Sequence, residues 1–249
     1  MKRLRNNIFA TAAVAVACIL GTTSAKAQEF TVQGDLVSSY VWRGVYQTGA
    51  SFQPTLGFSI GDFSVTAWGS TDFDGNKSSE GLASKEIDLT AAYTLGESGP
   101  TLSVASLWWA GQGAGKYFNF KSHETAHFFE AGLAYTLPCE KLPLSMAWYL
   151  MFAGADKNEE GAQNYSSYCE LNYPFSVKSV GLNATVGFVP YETYMVGYGN
   201  SGFAFTNVAL KATTAIRITD SFSLPIFAQA IWNPCLEDTH LVFGITLKP

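Results

Sequence analysis

Charge is scarce in this sequence. Asp, Glu, Lys and Arg together make 14% of the chain, against about 25% in ordinary soluble domains. Cysteine is also sparse, with four residues. None stands in C-x-x-C spacing, so a zinc knuckle is not indicated. Cys139, Cys169 and Cys235 follow the amino-terminal region. An odd number closes no disulfide framework, although one pair could bridge in an oxidising compartment. Cys169 reads as a small outward residue, the other two as turn or loop residues. Beyond residue 27 there is no apolar run of about 18 residues, so no spanning helix is expected there.

The amino-terminal region has a different composition. Lys2, Arg3 and Arg5 form a basic start, and Ile8 to Leu20 is apolar. That run is short of the ~20 residues a spanning helix needs. Ala25-Lys26-Ala27 gives an A-x-A pattern. Residues 1–27 therefore read as a secretory signal cleaved after Ala27, leaving 28–249 as one domain. Cys18 does not make a lipoprotein box, since Ala15-Val16-Ala17 lacks the usual leucine and Ile19-Leu20 follow. Without Lys2, Arg3, Arg5 and Lys26, 11 bases face 20 acids, a net charge of −9. Such a surface is a poor partner for nucleic acid.

Aromatics are plentiful, also at 14%. The stretch Asp35 to Gly44 displays their arrangement. Leu36, Tyr40 and Trp42 share one face, and Asp35, Ser39 and Arg43 the other. Period-2 alternation marks a strand with two unlike faces. The pattern recurs. Segments are expected at about Phe30 to Arg43, Phe52 to Ile60, Phe63 to Phe73, Lys85 to Leu95, Thr101 to Ala110 and Phe129 to Leu137. Six more follow at Leu142 to Phe152, Tyr165 to Phe175, Val180 to Phe188, Phe203 to Thr219, Phe222 to Trp232 and His240 to Lys248. Short connections (61–62, 96–100, 138–141, 176–179, 219–221) alternate with longer ones. Segments of ~9–11 residues suit tilted membrane strands, and short inner turns with longer outer loops are the habit of outer-membrane barrels. The fold class expected is all-β: a single transmembrane antiparallel β-barrel of about twelve strands. A secreted β-sandwich also alternates, but its exposed face is richer in Lys and Glu than the Ser, Thr, Gly, Asn and Gln found here.

A barrel assigns the polar face to the lumen. Asp35, Arg43, Asp72, Glu86, Asp88, Glu130, Glu170, Lys211 and Arg217 are the lumen-lining candidates, because Lys or Arg facing mid-membrane lipid costs ~2–4 kcal/mol. They form either a solute-selecting constriction or a salt-bridge network that plugs the barrel. Tyr40, Trp42, Trp108, Trp109, Trp148, Phe152 and Trp232 suit an interfacial girdle, with sugar stacking as the rival use. His123-Glu124-Thr125-Ala126-His127 is a literal H-E-x-x-H. In zinc peptidases a helix brings those histidines onto one face. Here a Gly-rich loop precedes the motif and a strand follows it, which leaves His123 and His127 as weak metal candidates only. Gly111-x-Gly113-x-Gly115-Lys116 lacks P-loop spacing.

At Ser38-Ser-Tyr-Val-Trp-Arg-Gly44, then Tyr46-Gln-Thr48, the chain resembles the TorF family of outer-membrane porins. Ala67-Trp-Gly-Ser70 and Glu86-Ile-Asp88 also look like that family's pattern, and the resemblance covers roughly residues 29–95. It implies an outer-membrane barrel and leaves the solute open. One departure stands out: outer-membrane strands commonly end in an aromatic, whereas this chain ends Leu247-Lys248-Pro249, with Phe243 its nearest aromatic. The expected function is a porin-like passive channel for small solutes or ions, with outer-membrane lipid and the barrel assembly machinery as partners. No catalytic residue and no cofactor is expected. The alternatives are a non-conducting structural or adhesive barrel, or a barrel bearing a hydrolase site at His123-Glu124-His127.

Overall fold

The computed structural model describes residues 28–73, 85–110, 116–193 and 198–249. The expected signal (1–27), the polar loop 74–84, the glycine-rich segment 111–115 and residues 194–197 lie outside the described residues. Fourteen strands follow in order: β1 (Gln28–Val37), β2 (Tyr40–Trp42), β3 (Val45–Thr48), β4 (Ser51–Ile60), β5 (Phe63–Asp72), β6 (Lys85–Thr94) and β7 (Thr101–Ala110), then β8 (Phe128–Thr136), β9 (Ser145–Gly154), β10 (Ser167–Val177), β11 (Val180–Val189), β12 (Ala204–Arg217), β13 (Ser223–Asn233) and β14 (Asp238–Leu247). Among the described residues there is no helix. Twelve strands, β1 and β4 to β14, close into one antiparallel barrel. β2 and β3 pair only with each other.

The alternation read from the sequence sets the two faces of the wall. Leu56, Val104, Leu133, Trp148, Leu210, Trp232, Leu241 and Phe243 are exposed on the outside. Between them, Gln53, Ser70, Glu86, Glu130, Thr185 and Asn207 are buried on the inside. This reverses the order of a soluble globule, which buries its apolar side chains. The outer apolar band involves strands around the whole ring, far beyond the few hundred Å² of an ordinary exposed patch.

The first expected strand divides in two. The sequence reading carried one strand from Phe30 to Arg43 and turned Tyr40 and Trp42 towards lipid. The wall strand instead ends at Val37, and the chain folds inward at Ser38. Tyr40 is buried and its ring lies 5.4 Å from that of Trp68. Trp42 lies 5.7 Å from Trp109. Trp109 is itself opposite Glu86 in the ladder, on the inward face. Tyr40, Trp42 and Trp109 therefore do not belong to a girdle. Trp148 and Trp232 do face outward.

Closure rests on a short seam. β1 pairs with β4 along its whole length, but with β14 only from Gly34↔Leu247 to Val37↔Gly244. Side chains reinforce it. Thr246 Oγ1 donates to Asp35 Oδ1 at 2.6 Å, and the Phe243 amide donates to Ser38 Oγ at 2.9 Å.

The H-E-x-x-H residues separate in space. His123 is exposed in a turn with φ 64°. His127 is 1% exposed, although it lies against the outer face of the wall. Its Nδ1 is 2.8 Å from Ser106 Oγ, and its Nε2 is 2.5 Å from the Tyr117 carbonyl oxygen. Trp108, Tyr117, Phe120 and Phe129 surround the ring. His127 thus straps segment 116–127 onto the wall, and Glu124 pairs with Lys121. His127→Ala is expected to raise amide exchange across 116–127 at least tenfold while β7 and β8 stay protected. Unchanged exchange in that segment would show that the aromatic contacts hold it without the imidazole.

Candidate functional site: a hairpin across the lumen

Residues 38–50 leave the wall and return to it, with β2 and β3 packed inside the barrel. The fold-back has a local cause. Arg43 and Gly44 take φ values of 51° and 86°, and Trp42 pairs with Val45. A two-residue loop with both central φ values positive is the type I′ hairpin turn, whose twist matches the strands it joins. Glycine takes that conformation freely. For arginine the left-handed region costs ~1–2 kcal/mol, which the contacts of its side chain must offset. Gly44 is needed twice over, because a Cβ there would also overlap the Thr206 carbonyl.

The hairpin reaches from one side of the wall to the other. Val41 packs with Val37, Ala209, Ile231 and Val242. Val45 packs with Tyr168, Val189 and Tyr198. Its tip carbonyls are also held. Tyr198 donates its hydroxyl to the Arg43 oxygen at 2.8 Å, and Asn233 Nδ2 donates to the Gly44 oxygen at 3.1 Å. Burial pushes the Tyr198 phenol up to about 12, so at neutral pH it remains a donor. Thr48 and Ser51 hydroxyls meet at 2.9 Å where the hairpin rejoins the wall.

Charge gathers at the tip. Arg43 Nη1 is 2.7 Å from Glu130 Oε2, and the two side chains are 11% and 8% exposed. Three aromatic rings flank the guanidinium: Trp42 at 4.4 Å, Tyr149 at 4.7 Å and Tyr168 at 4.7 Å. Glu86 is buried at the same level and hydrogen-bonds the Tyr40 hydroxyl. Asp88 contacts Glu86. Glu86 Oε2 and Asp88 Oδ1 have no hydrogen-bond partner. Of these three carboxyl groups, Glu130 is the one paired with the guanidinium. A cavity of about 10 Å³ remains beside Arg43, lined by Ser166, Tyr168, Thr193 and Tyr198. That is about the least that holds one water.

Towards the short-turn end the lumen is polar and less filled. Asp35 accepts from Gln33 and Thr246. Glu170 accepts from Tyr168 at 2.7 Å and from Asn172 at 2.6 Å. Asn172 in turn accepts from Asn183 and Thr185. Lys211 Nζ lies 4.0 Å from the Phe227 ring centre.

The sequence candidates therefore fall into three groups. Arg43, Glu86, Asp88 and Glu130 meet at the hairpin. Asp35, Glu170 and Lys211 line the lumen below it. Asp72 shares the inward side of β5 with Ser70, at the strand's long-loop end. Arg217 ends β12 at the short-turn rim, where it is exposed and pairs with Asp220. Arg43 does not stay on the wall strand: it reaches across the lumen to Glu130, near the long-loop end of β8. Tyr149, Tyr168, Tyr198, Asn207 and Asn233 were not singled out from the sequence. The available signal was Arg43-Gly44 between two short alternating runs, a hairpin turn inside an apparent strand. Among the described residues no three His, Cys, Asp or Glu side chains group to hold a metal ion.

Neither a family model nor a curated protein matches the chain.

Arg43→Ala is expected to destabilise the barrel by about 3–5 kcal/mol, because Glu130 stays buried without its partner. Adding Glu130→Gln should recover part of that loss. Denaturant unfolding of the two single variants and the double variant measures the coupling. Strict additivity would mean that the pair contributes no coupled energy.

Proposed function

We propose that the protein is an outer-membrane barrel whose lumen is a narrow path for small solutes or ions, constricted by the β2–β3 hairpin. The observation that carries this reading is the hairpin itself. It crosses a closed barrel with an apolar outer face, and it brings a charged tip against the buried carboxylate of Glu130. Several features support the location. A closed barrel satisfies its backbone hydrogen bonds without water, which is a condition for crossing lipid. Twelve strands is an even count, and both ends of the wall lie at the short-turn end, as in outer-membrane barrels. The resemblance of residues 29–95 to the TorF family points the same way. Lipid and the assembly machinery are the partners this reading requires.

Twelve strands enclose a lumen between filled eight-stranded barrels and the aqueous sixteen-stranded porins. A folded-in hairpin narrows such a lumen without changing the wall. Side chains of both signs at a constriction select by charge as well as by size. A second reading has its own support. The tight packing around Arg43 suits a barrel that is closed at rest and serves as a structural envelope component.

The experiment replaces residues 39–49 with a Gly/Ser linker and compares conductance in planar bilayers. Heat-modifiable migration on a gel checks that the barrel has folded. Conductance several-fold above that of the unaltered protein is expected. A folded barrel that stays silent at every voltage after losing its hairpin would overturn the channel reading and leave the structural one.

A further inference from the structure

The surroundings of Arg43 are built almost entirely by the wall. Glu130, Tyr149 and Tyr168 come from the adjacent strands β8, β9 and β10. The two tyrosine rings lie near parallel, with centroids 6.5 Å apart and an interplanar angle of 26°. The guanidinium is 4.7 Å from each ring, within the ~6 Å range of cation–π attraction. Glu130 supplies the carboxylate at 2.7 Å.

The wall also holds Tyr168 in place without the hairpin. Tyr168 donates to Glu170 and accepts from Asn207 Nδ2 at 3.1 Å. Gly187 faces its ring, and a Cβ there would overlap it. Two aromatic faces beside a carboxylate are the chemistry used to recognise organic cations. The hairpin contributes the guest and one further ring, Trp42.

We propose that Glu130, Tyr149 and Tyr168 form a receptor for small guanidinium-type cations, which Arg43 occupies as a built-in guest. The receptor stands on its own geometry, while any effect on permeation rests on the channel reading above. A free guanidinium compound would compete with Arg43 for the same carboxylate and rings. A planar cation with several N–H donors fits this site better than a compact, strongly hydrated ammonium or metal ion.

The test is chemical rescue. Arg43→Ala removes the guest and leaves the receptor. Guanidinium chloride at millimolar levels is added to the folded variant in detergent, and thermal stability and tryptophan fluorescence are followed. Trp42 and Trp109 are the reporters. Saturable stabilisation of Arg43→Ala is expected, with little or none in the unaltered protein. Potassium chloride and the neutral isostere urea should give none. Arg43→Ala/Glu130→Gln and Arg43→Ala/Tyr168→Leu should bind about tenfold more weakly or worse, a loss of at least ~1.4 kcal/mol. Should Arg43→Ala fail to fold, the linker-replaced barrel keeps the same three wall residues and takes its place. The absence of a saturable effect, or an equal effect after Glu130→Gln, overturns the receptor. In bilayers, guanidinium should reduce the conductance of Arg43→Ala more than potassium or urea does. A silent barrel there counts against the channel, and the detergent result still decides the receptor.

Discussion

Closure of the strand ring is the constraint on which the rest of this structure depends. A sheet edge carries unpaired amides and carbonyls, and a closed ring has no such edge to cover. Here the last step of closure is small. β1 meets β14 over four residue pairs, from Gly34 to Val37. Beyond Val37 the chain leaves the wall, so the long-loop half of β14 keeps β13 as its ladder partner and lacks β1. The hairpin stands beside that half, with Tyr46 and His240 rings 6.2 Å apart. The same departure that shortens the seam supplies the segment that fills the lumen. Seam and constriction are two consequences of one turn at Ser38.

The filling is polar where an apolar one would have closed the barrel more simply. Burying an ion pair rarely adds net stability over well-packed apolar residues. Arg43 and Glu130 must overcome desolvation, and Arg43 also carries a left-handed backbone. The compensation is local and specific: three rings, one carboxylate, and donors from Tyr198 and Asn233 onto the tip carbonyls. Such an arrangement fixes one position for the hairpin. It also makes that position sensitive to loss of any single partner, as a purely apolar plug would not be.

Much of the wall was legible in the sequence. Thr101 to Ala110 is strand β7 to the residue, and β4, β5, β6, β11 and β13 fall within a residue or two of their expected limits. Alternation is a strong signal when one face meets water and the other does not. It failed from Ser38 to Thr48 for a physical reason. A hairpin inside a barrel alternates too, and both of its faces meet protein. Tyr40 and Trp42 therefore looked like lipid-facing aromatics, although they are core residues of the lumen. The Arg43-Gly44 pair marked the turn, but arginine is not among the residues that announce one. Tyr149 and Tyr168 could not be identified as a pair, because their meeting depends on strand register and not on spacing along the chain.

The identity of residue 43 follows from the same geometry. Lysine would keep the charge, but its ammonium is compact and strongly hydrated. It would lose more solvation on entering a site with 11% exposure, and it has no planar face to lay against an aromatic ring while donating to Glu130. A guanidinium is planar and weakly hydrated, with donors at its edge and faces free for stacking. Tyr149 and Tyr168 stand side by side on the wall, each 4.7 Å from the guanidinium, and Glu130 accepts from Nη1. The wall thus meets that group with aromatic rings as well as with charge, as a surface ion pair would not.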